Sequence, residues 1–364
     1  MRHRPRVWFR YAGTIIVGLC VLLAVVTPAP GGPAPTELVV YTGIGYGAML
    51  DKTVDKTMLE KYNAKVVWQE LLIQQAFTKV LADRDHPSVS VSVADPVNYL
   101  NGVKAGLWSD IDRKVVTNLQ YVYPAALQPF PGPQSAPIEA NTVGIQYRTD
   151  IFLQNHFAAP TGYTDLWRPE FKGHVGFSSA ASGTGMRALM ILNHMAGGTD
   201  TNVDPGFRLV KDLVQKQQIT IFPTSSSDFN NIMQRGEIWI GVQFSEGGLQ
   251  FAALGAPVAY VYPKEGVSLG VSTVVVVKGA PHQDLAQAFV NEMLSAEFQR
   301  ELAIERWGIP VRAGVSLPPE YARQLPLTPA EWKSARMVNH NWPVLAEHFN
   351  DWSQRWLREV EGKQ

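Results

Sequence analysis

Polar side chains that could hold a small charged molecule gather in this sequence where short apolar runs stop. Gln243, Phe244, Ser245 and Glu246 follow the run Ile238–Val242, and Asp95 closes the alternating stretch Val89–Val93. Glu139 and Asn141 stand just before Thr142–Tyr147, and Gly45 and Tyr46 follow Leu38–Tyr41. Ser179, Ser182, Gly183 and Thr184 form a turn after His174–Phe177, and Ser272 and Thr273 interrupt Gly270–Val277. The acids suit an amine, and Tyr46 or Phe244 suits an apolar stem or a cation. The Ser/Gly turn feeds a helix N-terminus, whose free N–H groups and positive dipole end suit an anion. Each feature also has a purely structural reading. Ser245 and Asp95 are good helix caps, and Glu246 would sit in a first helical turn.

Reactive constellations are harder to find. The eight histidines are scattered with no HxxxH or HExxH spacing, so no metal site is expected. No serine occupies a G-x-S-x-G elbow, and no phosphate-binding P-loop occurs. Gly183-x-Gly185-x-x-Ala188 brushes the dinucleotide fingerprint, but it lies mid-chain with no convincing acid about 20 residues on. No carboxylate has an obvious second acid beside it. The expectation is a binder without catalytic residues or cofactor.

The elements that position these residues alternate. Strand, polar turn, helix, strand recurs from Ile238 to Tyr262, which is the unit of a mainly parallel sheet covered by helices. Ligands in such sheets sit at the carboxyl ends of strands. Pro124–Pro137 holds five prolines and reads as a surface loop. Leu345, Phe349, Trp352 and Trp356 are spaced by four, three and four, so they share one helical face. That face is expected to dock on the first half of the protein.

With 364 residues, 46% hydrophobic and 18% charged, the chain can fill two domains of ordinary size. Its 32 basic and 32 acidic residues, with no basic block after the start, argue against nucleic-acid binding. The first 34 residues carry Arg2, Arg4, Arg6 and Arg10, then the apolar run Ala12–Val26 and a Pro-rich loop. That order is expected of a secretory signal peptide or an N-terminal anchor. Its removal would leave 28 basic and 32 acidic groups. The single cysteine, Cys20, lies inside the apolar run, so no disulfide is expected in the exported part.

The openings "LVVYTG" at Leu38–Gly43 and "APVAYVYPKEG" at Ala256–Gly266, with "STVVVVKGAP" after them, resemble the extracellular solute-binding proteins of ABC importers. The nearest branch is the spermidine/putrescine-binding type with its iron and phosphonate relatives. The resemblance implies a two-lobed periplasmic-binding-protein-like α/β fold of type II, with two segments crossing between lobes. It places lobe 1 at residues 35–139 and 273–328 and lobe 2 at 140–272; the helical tail at 329–364, which it does not cover, is expected to pack on lobe 1. Ligand would lie between the lobes, whose closure is a hinge motion. The implied partners are a small solute, polyamine first, and a membrane permease with a separate ATPase. The protein would be an exported monomer, periplasmic or held at the cell surface, touching membrane only through an uncleaved N-terminal segment. A small anion, an aminophosphonate or ferric iron is the alternative ligand, although the tyrosine pair of many iron binders is absent. An enzyme on the same scaffold, or a sensory binder, is the alternative of another kind.

Overall fold

A computed structural model describes residues 33–362 of the chain. The expected leader, except its last two residues, lies outside the described residues, as does Cys20. Among the described residues no helix is long and apolar enough to cross a membrane.

Eleven strands form one sheet among the described residues. They are β1 Thr36–Gly43, β2 Ala64–Leu71, β3 Val91–Ala94, β4 Trp108–Ser109, β5 Ala136–Arg148, β6 Val175–Phe177, β7 Ile219–Ile221, β8 Ile240–Phe244, β9 Val258–Val261, β10 Val267–Val277 and β11 Met337–Val338. The main order is β2-β1-β3-β10-β5-β8-β6-β7. At one end β1 pairs in parallel with β2 and β3, and at the other β6 pairs in parallel with β7 and β8. The two long central strands, β5 and β10, run antiparallel to each other. The chain crosses between the halves on one and returns on the other, so opposite directions are required. Every residue of β10 is buried, and its sequence VSLGVSTVVVV is rich in β-branched side chains. Such residues fit a strand covered on both faces.

Two large apolar cores flank this seam. Leu38, Val40, Val91, Ile138 and Ala140 belong to the first core, with Val274 and Phe289. Val143, Ile145, Phe177, Leu189 and Val242 belong to the second. The change of core along β5 therefore falls between Ala140 and Val143. The architecture is the two-lobed α/β fold, with helices on both sides of each half-sheet.

The Pro-rich segment differs from the sequence reading. Pro124–Leu127 is a one-turn helix with proline in its first turn, where the missing N–H is no loss. Phe130 is buried, and Pro137 already lies in β5. The ladder shifts register between Ser272 and Thr273, opposite Pro137. Bulges are among the few places a sheet accepts proline.

The tail packs on both halves. Its last helix, Trp342–Glu359, lies against the helix Pro96–Lys104 of the first half, and Trp332 belongs to the first core, while Trp342, Leu345, Trp352 and Trp356 join the second. Trp356 is fully buried, stacks on Phe177 at 5.6 Å and meets Phe222 edge-on at 5.7 Å. Arg355 pairs with Asp204 at 2.6 Å. From the first half, Val97 and Leu100 on the helix Pro96–Lys104 pack partly against the second core. The tail thus bridges the two halves.

Candidate functional site

A cleft of about 530 Å³ opens at the strand ends where the two halves meet. Asp95 to Asn98 and Asn101 wall it from the first half. Asn141 of β5 and Gly270, Val271 and Ser272 of β10 form its floor. Gly183, Met186, Arg187 and Phe244 come from the second half. Trp342, Leu345, Ala346 and Phe349 of the tail helix supply an apolar wall. Asp95 and Arg187 are the charged side chains of this lining.

Asp95 caps the helix Pro96–Lys104, its Oδ1 accepting the Asn98 N–H at 2.7 Å. Burial raises its pKa, and the Asn98 hydrogen bonds pull the other way. The capping reading and the cleft reading therefore hold together for this residue.

Arg187 has a different environment. It lies in the first turns of the helix Gly183–Met195 and is 6% exposed. Its Nε donates to Ser268 Oγ at 3.1 Å, and one terminal nitrogen donates to Asn141 Oδ1 at 2.7 Å. The other donates to the Ser268 carbonyl at 2.7 Å and the Asn141 carbonyl at 3.2 Å. All four acceptors are neutral, and a guanidinium carries five N–H groups. The Phe244 ring lies 5.1 Å from the guanidinium carbon. Burial pulls the Arg187 pKa down to about 10, so the charge persists at neutral pH. The same helix starts at the Ser/Gly turn. Ser182 caps it by accepting the Gly185 N–H at 3.2 Å. A Cβ on Gly185 would stand 2.1 Å from the Ser179 carbonyl oxygen, so only glycine lets the turn pack so closely.

Of the residues expected from sequence, Asp95, Asn141, Gly183, Phe244 and Ser272 line the cleft. The remainder do other work. Ser179 accepts the Ser182 hydroxyl at 2.7 Å within the turn, and Thr184 is buried in the first turn of its helix. Gln243 is fully buried and accepts from Ser226 Oγ at 3.0 Å. Ser245 is no cap; its hydroxyl accepts the Thr142 N–H at 3.1 Å and ties the helix to β5. Thr273 is fully buried on β10. Gly45 has φ +87° and donates to Glu70 Oε1 at 3.0 Å.

Tyr46, Glu139 and Glu246 form a separate buried group around Arg306, outside the lining of the cleft. The Tyr46 hydroxyl donates to Glu139 Oε2. Arg306 lies 3.4 Å from Glu139 and 3.7 Å from Glu246, with its guanidinium 4.6 Å from the Tyr46 ring centroid. Burial works against the Arg306 charge, but Glu139 and Glu246 outweigh it and leave its pKa raised. Burial, and then the neighbouring Glu139, push the Glu246 carboxyl well above its usual range. Both acids face Arg306 outside the lining of the cleft, and Glu246 Oε1 has no hydrogen-bond partner. A raised carboxyl pKa means that the folded state holds a proton the unfolded state has released. Stability from this group is present at acid pH and declines as pH rises above the ordinary carboxylate value. Glu246→Gln, which mimics the protonated form, should flatten that decline and leave solute affinity within about threefold. Urea melts across pH and calorimetry on the variant check both; a collapse in affinity would place Glu246 at the ligand.

Sequence reasoning missed Arg187, Asn98, Asn101 and the tail wall. The one available signal for Arg187 was a lone cation in the otherwise apolar helix GTGMRALMIL, four residues after Gly183.

Comparison with known proteins agrees with this geometry. The signature of a family described as bacterial extracellular solute-binding protein matches residues 54–329. The spermidine/putrescine-binding periplasmic protein of Escherichia coli is 25% identical over 237 residues, which cover 62% of this chain and 65% of that one. The chain thus spans a little under two thirds of the length of such relatives. A putative 2-aminoethylphosphonate-binding periplasmic protein of Salmonella typhimurium is 22% identical over 234 residues, covering 63% of this chain and 66% of that one. Among solved structures, an ABC transporter protein from Clostridium perfringens superposes with TM-score 0.74 at 21% identity, over 89% of this chain and 99% of that one. A spermidine/putrescine ABC transporter substrate-binding protein from Streptococcus pneumoniae gives 0.71 at 18% identity, over 88% and 99%.

Proposed function

Because the chain belongs to the bacterial extracellular solute-binding proteins, we propose that it is the solute-binding component of an ABC-type importer and that its solute carries an anionic group. The protein captures this solute in the cleft between its halves and hands it to a membrane permease driven by a separate ATPase. It works as an exported monomer, periplasmic or attached at the cell surface. Lobe 1 comprises residues 35–139 and 273–328, and lobe 2 residues 140–272, a division supported by the change of core along β5. The tail packs on lobe 1 through the helix Pro96–Lys104 and also reaches the second core.

The observation that carries the anionic reading is Arg187. A buried cation is expensive unless paired, and its partners here are all neutral. A carboxylate, phosphate or phosphonate at this point would complete the pair, next to a helix N-terminus that favours the same sign. Asp95 across the cleft can take an amine, so a zwitterion such as an aminophosphonate or amino acid uses both ends. A polyamine would find one acid in the cleft and face the positive charge of Arg187. The named polyamine binders among the relatives keep that second reading in play. The cleft lining offers Asp95 alone, and the close carboxylate pair of Glu139 with Glu246 faces Arg306 outside that lining, which favours a binder over an enzyme.

Calorimetric titration of the purified protein with 2-aminoethylphosphonate, amino acids, phosphate, putrescine and spermidine tests the assignment. Heat from anionic or zwitterionic compounds supports it. Binding confined to the polyamines overturns it.

A further inference from the structure

Away from the cleft lining, where the tail begins, three side chains converge. We propose that His194, Asp200 and His340 form a binding site for a divalent metal of the zinc class, which clamps the start of the tail to the second lobe. His194 stands in the last turn of the helix Gly183–Met195, Asp200 in the turn that follows, and His340 two residues before the tail helix. One potential ligand atom from each lies within 4.8 Å of the others. His194 Nε2 is 2.8 Å from Asp200 Oδ1, and His340 Nδ1 is 3.9 Å from the same oxygen.

The second of those distances is too long for a hydrogen bond. His340 Nδ1 is buried without a hydrogen-bond partner, on a side chain that is 0% exposed. A native protein rarely leaves such an atom unpaired, and a bound ion would pair it. The other ring nitrogen is held by Ser268 Oγ at 2.7 Å. A ligating histidine is usually steadied in this way through its second nitrogen. The carboxylate is steadied too, with Asp200 Oδ2 accepting the Asn341 N–H at 2.8 Å. Two imidazoles and a carboxylate are the donor set of borderline metals such as zinc, not of calcium or magnesium. His194 and Asp200 are 30% and 19% exposed, which gives the ion a route in and leaves room for a water as fourth ligand.

The ligands join segments 146 residues apart in the chain, so no local spacing reveals them. The site is also linked to the cleft through Ser268. Metal at Nδ1 requires the His340 proton on Nε2, where it donates to Ser268 Oγ. That oxygen already accepts from Arg187 Nε at 3.1 Å. Ser268 therefore links the metal clamp to the solute-binding cation.

The untagged full chain, stripped with chelator, is titrated with Zn²⁺ by calorimetry, and with Co²⁺ as a spectroscopic probe. One Zn²⁺ per chain is expected, with tetrahedral ligand-field bands for Co²⁺ and a higher melting temperature for the loaded protein. His194→Ala and Asp200→Asn should each weaken Zn²⁺ by at least about 100-fold. His194 is partly exposed, so its variant should melt in metal-free buffer close to the parent, and zinc should no longer raise its melting temperature. Wild-type protein that binds no zinc at submillimolar concentration would overturn the proposal. So would zinc binding of undiminished strength in both variants, or octahedral cobalt spectra unaltered by either.

Discussion

Replacing Arg187 with methionine is expected to weaken binding of the anionic solute by on the order of 100-fold or more, with the fold retained. The side chain sits in the cleft lining with its charge buried and hydrogen-bonded to neutral acceptors, with Asp95 and Glu246 acting on it from further away. Burial pulls its pKa down to about 10, so keeping it charged costs the folded protein on the order of 3 kcal/mol. A residue selected for stability alone would not carry that penalty. Methionine fills a similar volume and removes the charge, while leaving the Asn141 and Ser268 acceptors to neighbours or water. Hydrophobic replacement of buried ions is often near neutral for stability, so the melting temperature should move little while affinity collapses. Gly270→Ala should reach the same end without touching the charge. A Cβ there would stand 2.3 Å from the Arg187 terminal nitrogen and 2.6 Å from Asn141 Oδ1. The guanidinium is pinned by four hydrogen bonds and would have to leave at least one. Calorimetry with a bound compound, alongside thermal melts, checks both variants. If Arg187→Met binds within about threefold of the parent, the anion does not sit at this arginine.

The contrast between Arg187 and Glu246 shows what could be seen before the structure. Strands announce themselves as apolar runs, and their ends are visible from the glycines and prolines that follow. From that much, the alternation of the α/β fold is readable, and so is the position of Glu246 beyond a strand. Its partner is not. Arg306 lies 60 residues further along, and only folding shows that the acid faces it. Strand-end position marks where a ligand is able to sit, whereas the charge balance of a site depends on contacts that no local pattern records. Arg187 was hidden for the opposite reason. It stands inside a helix, away from the strand ends where binding residues are expected, and its neutral acceptors lie on other elements. Asp95 was easier, because capping a helix and facing a cleft make the same demand of a carboxylate at a strand's end.

The tail teaches the same lesson on packing, and leads to a large stability effect. An amphipathic face tells that a helix docks but not on what. Here the partner is a set of rings, Phe177, Phe207 and Phe222, gathered around Trp356 in the second core. Trp356 is 0% exposed, and its indole N–H donates to Glu361 at 2.6 Å. Trp356→Ala would remove the largest fully buried side chain and leave a cavity that three rigid rings cannot close. The expected loss is about 3–5 kcal/mol, read as a lower urea midpoint and a melting temperature lower by on the order of 10 °C. Binding should suffer as well, because Trp342, Leu345 and Phe349 on the same helix wall the cleft. Leu254→Ala is the control, since that side chain is 80% exposed and its removal should change stability by less than about 0.5 kcal/mol. A Trp356→Ala variant that loses under about 1 kcal/mol would mean that the tail is loosely held. The cleft would then lack its apolar wall for much of the time, and specificity would rest on Arg187, Asp95 and the hinge strands alone.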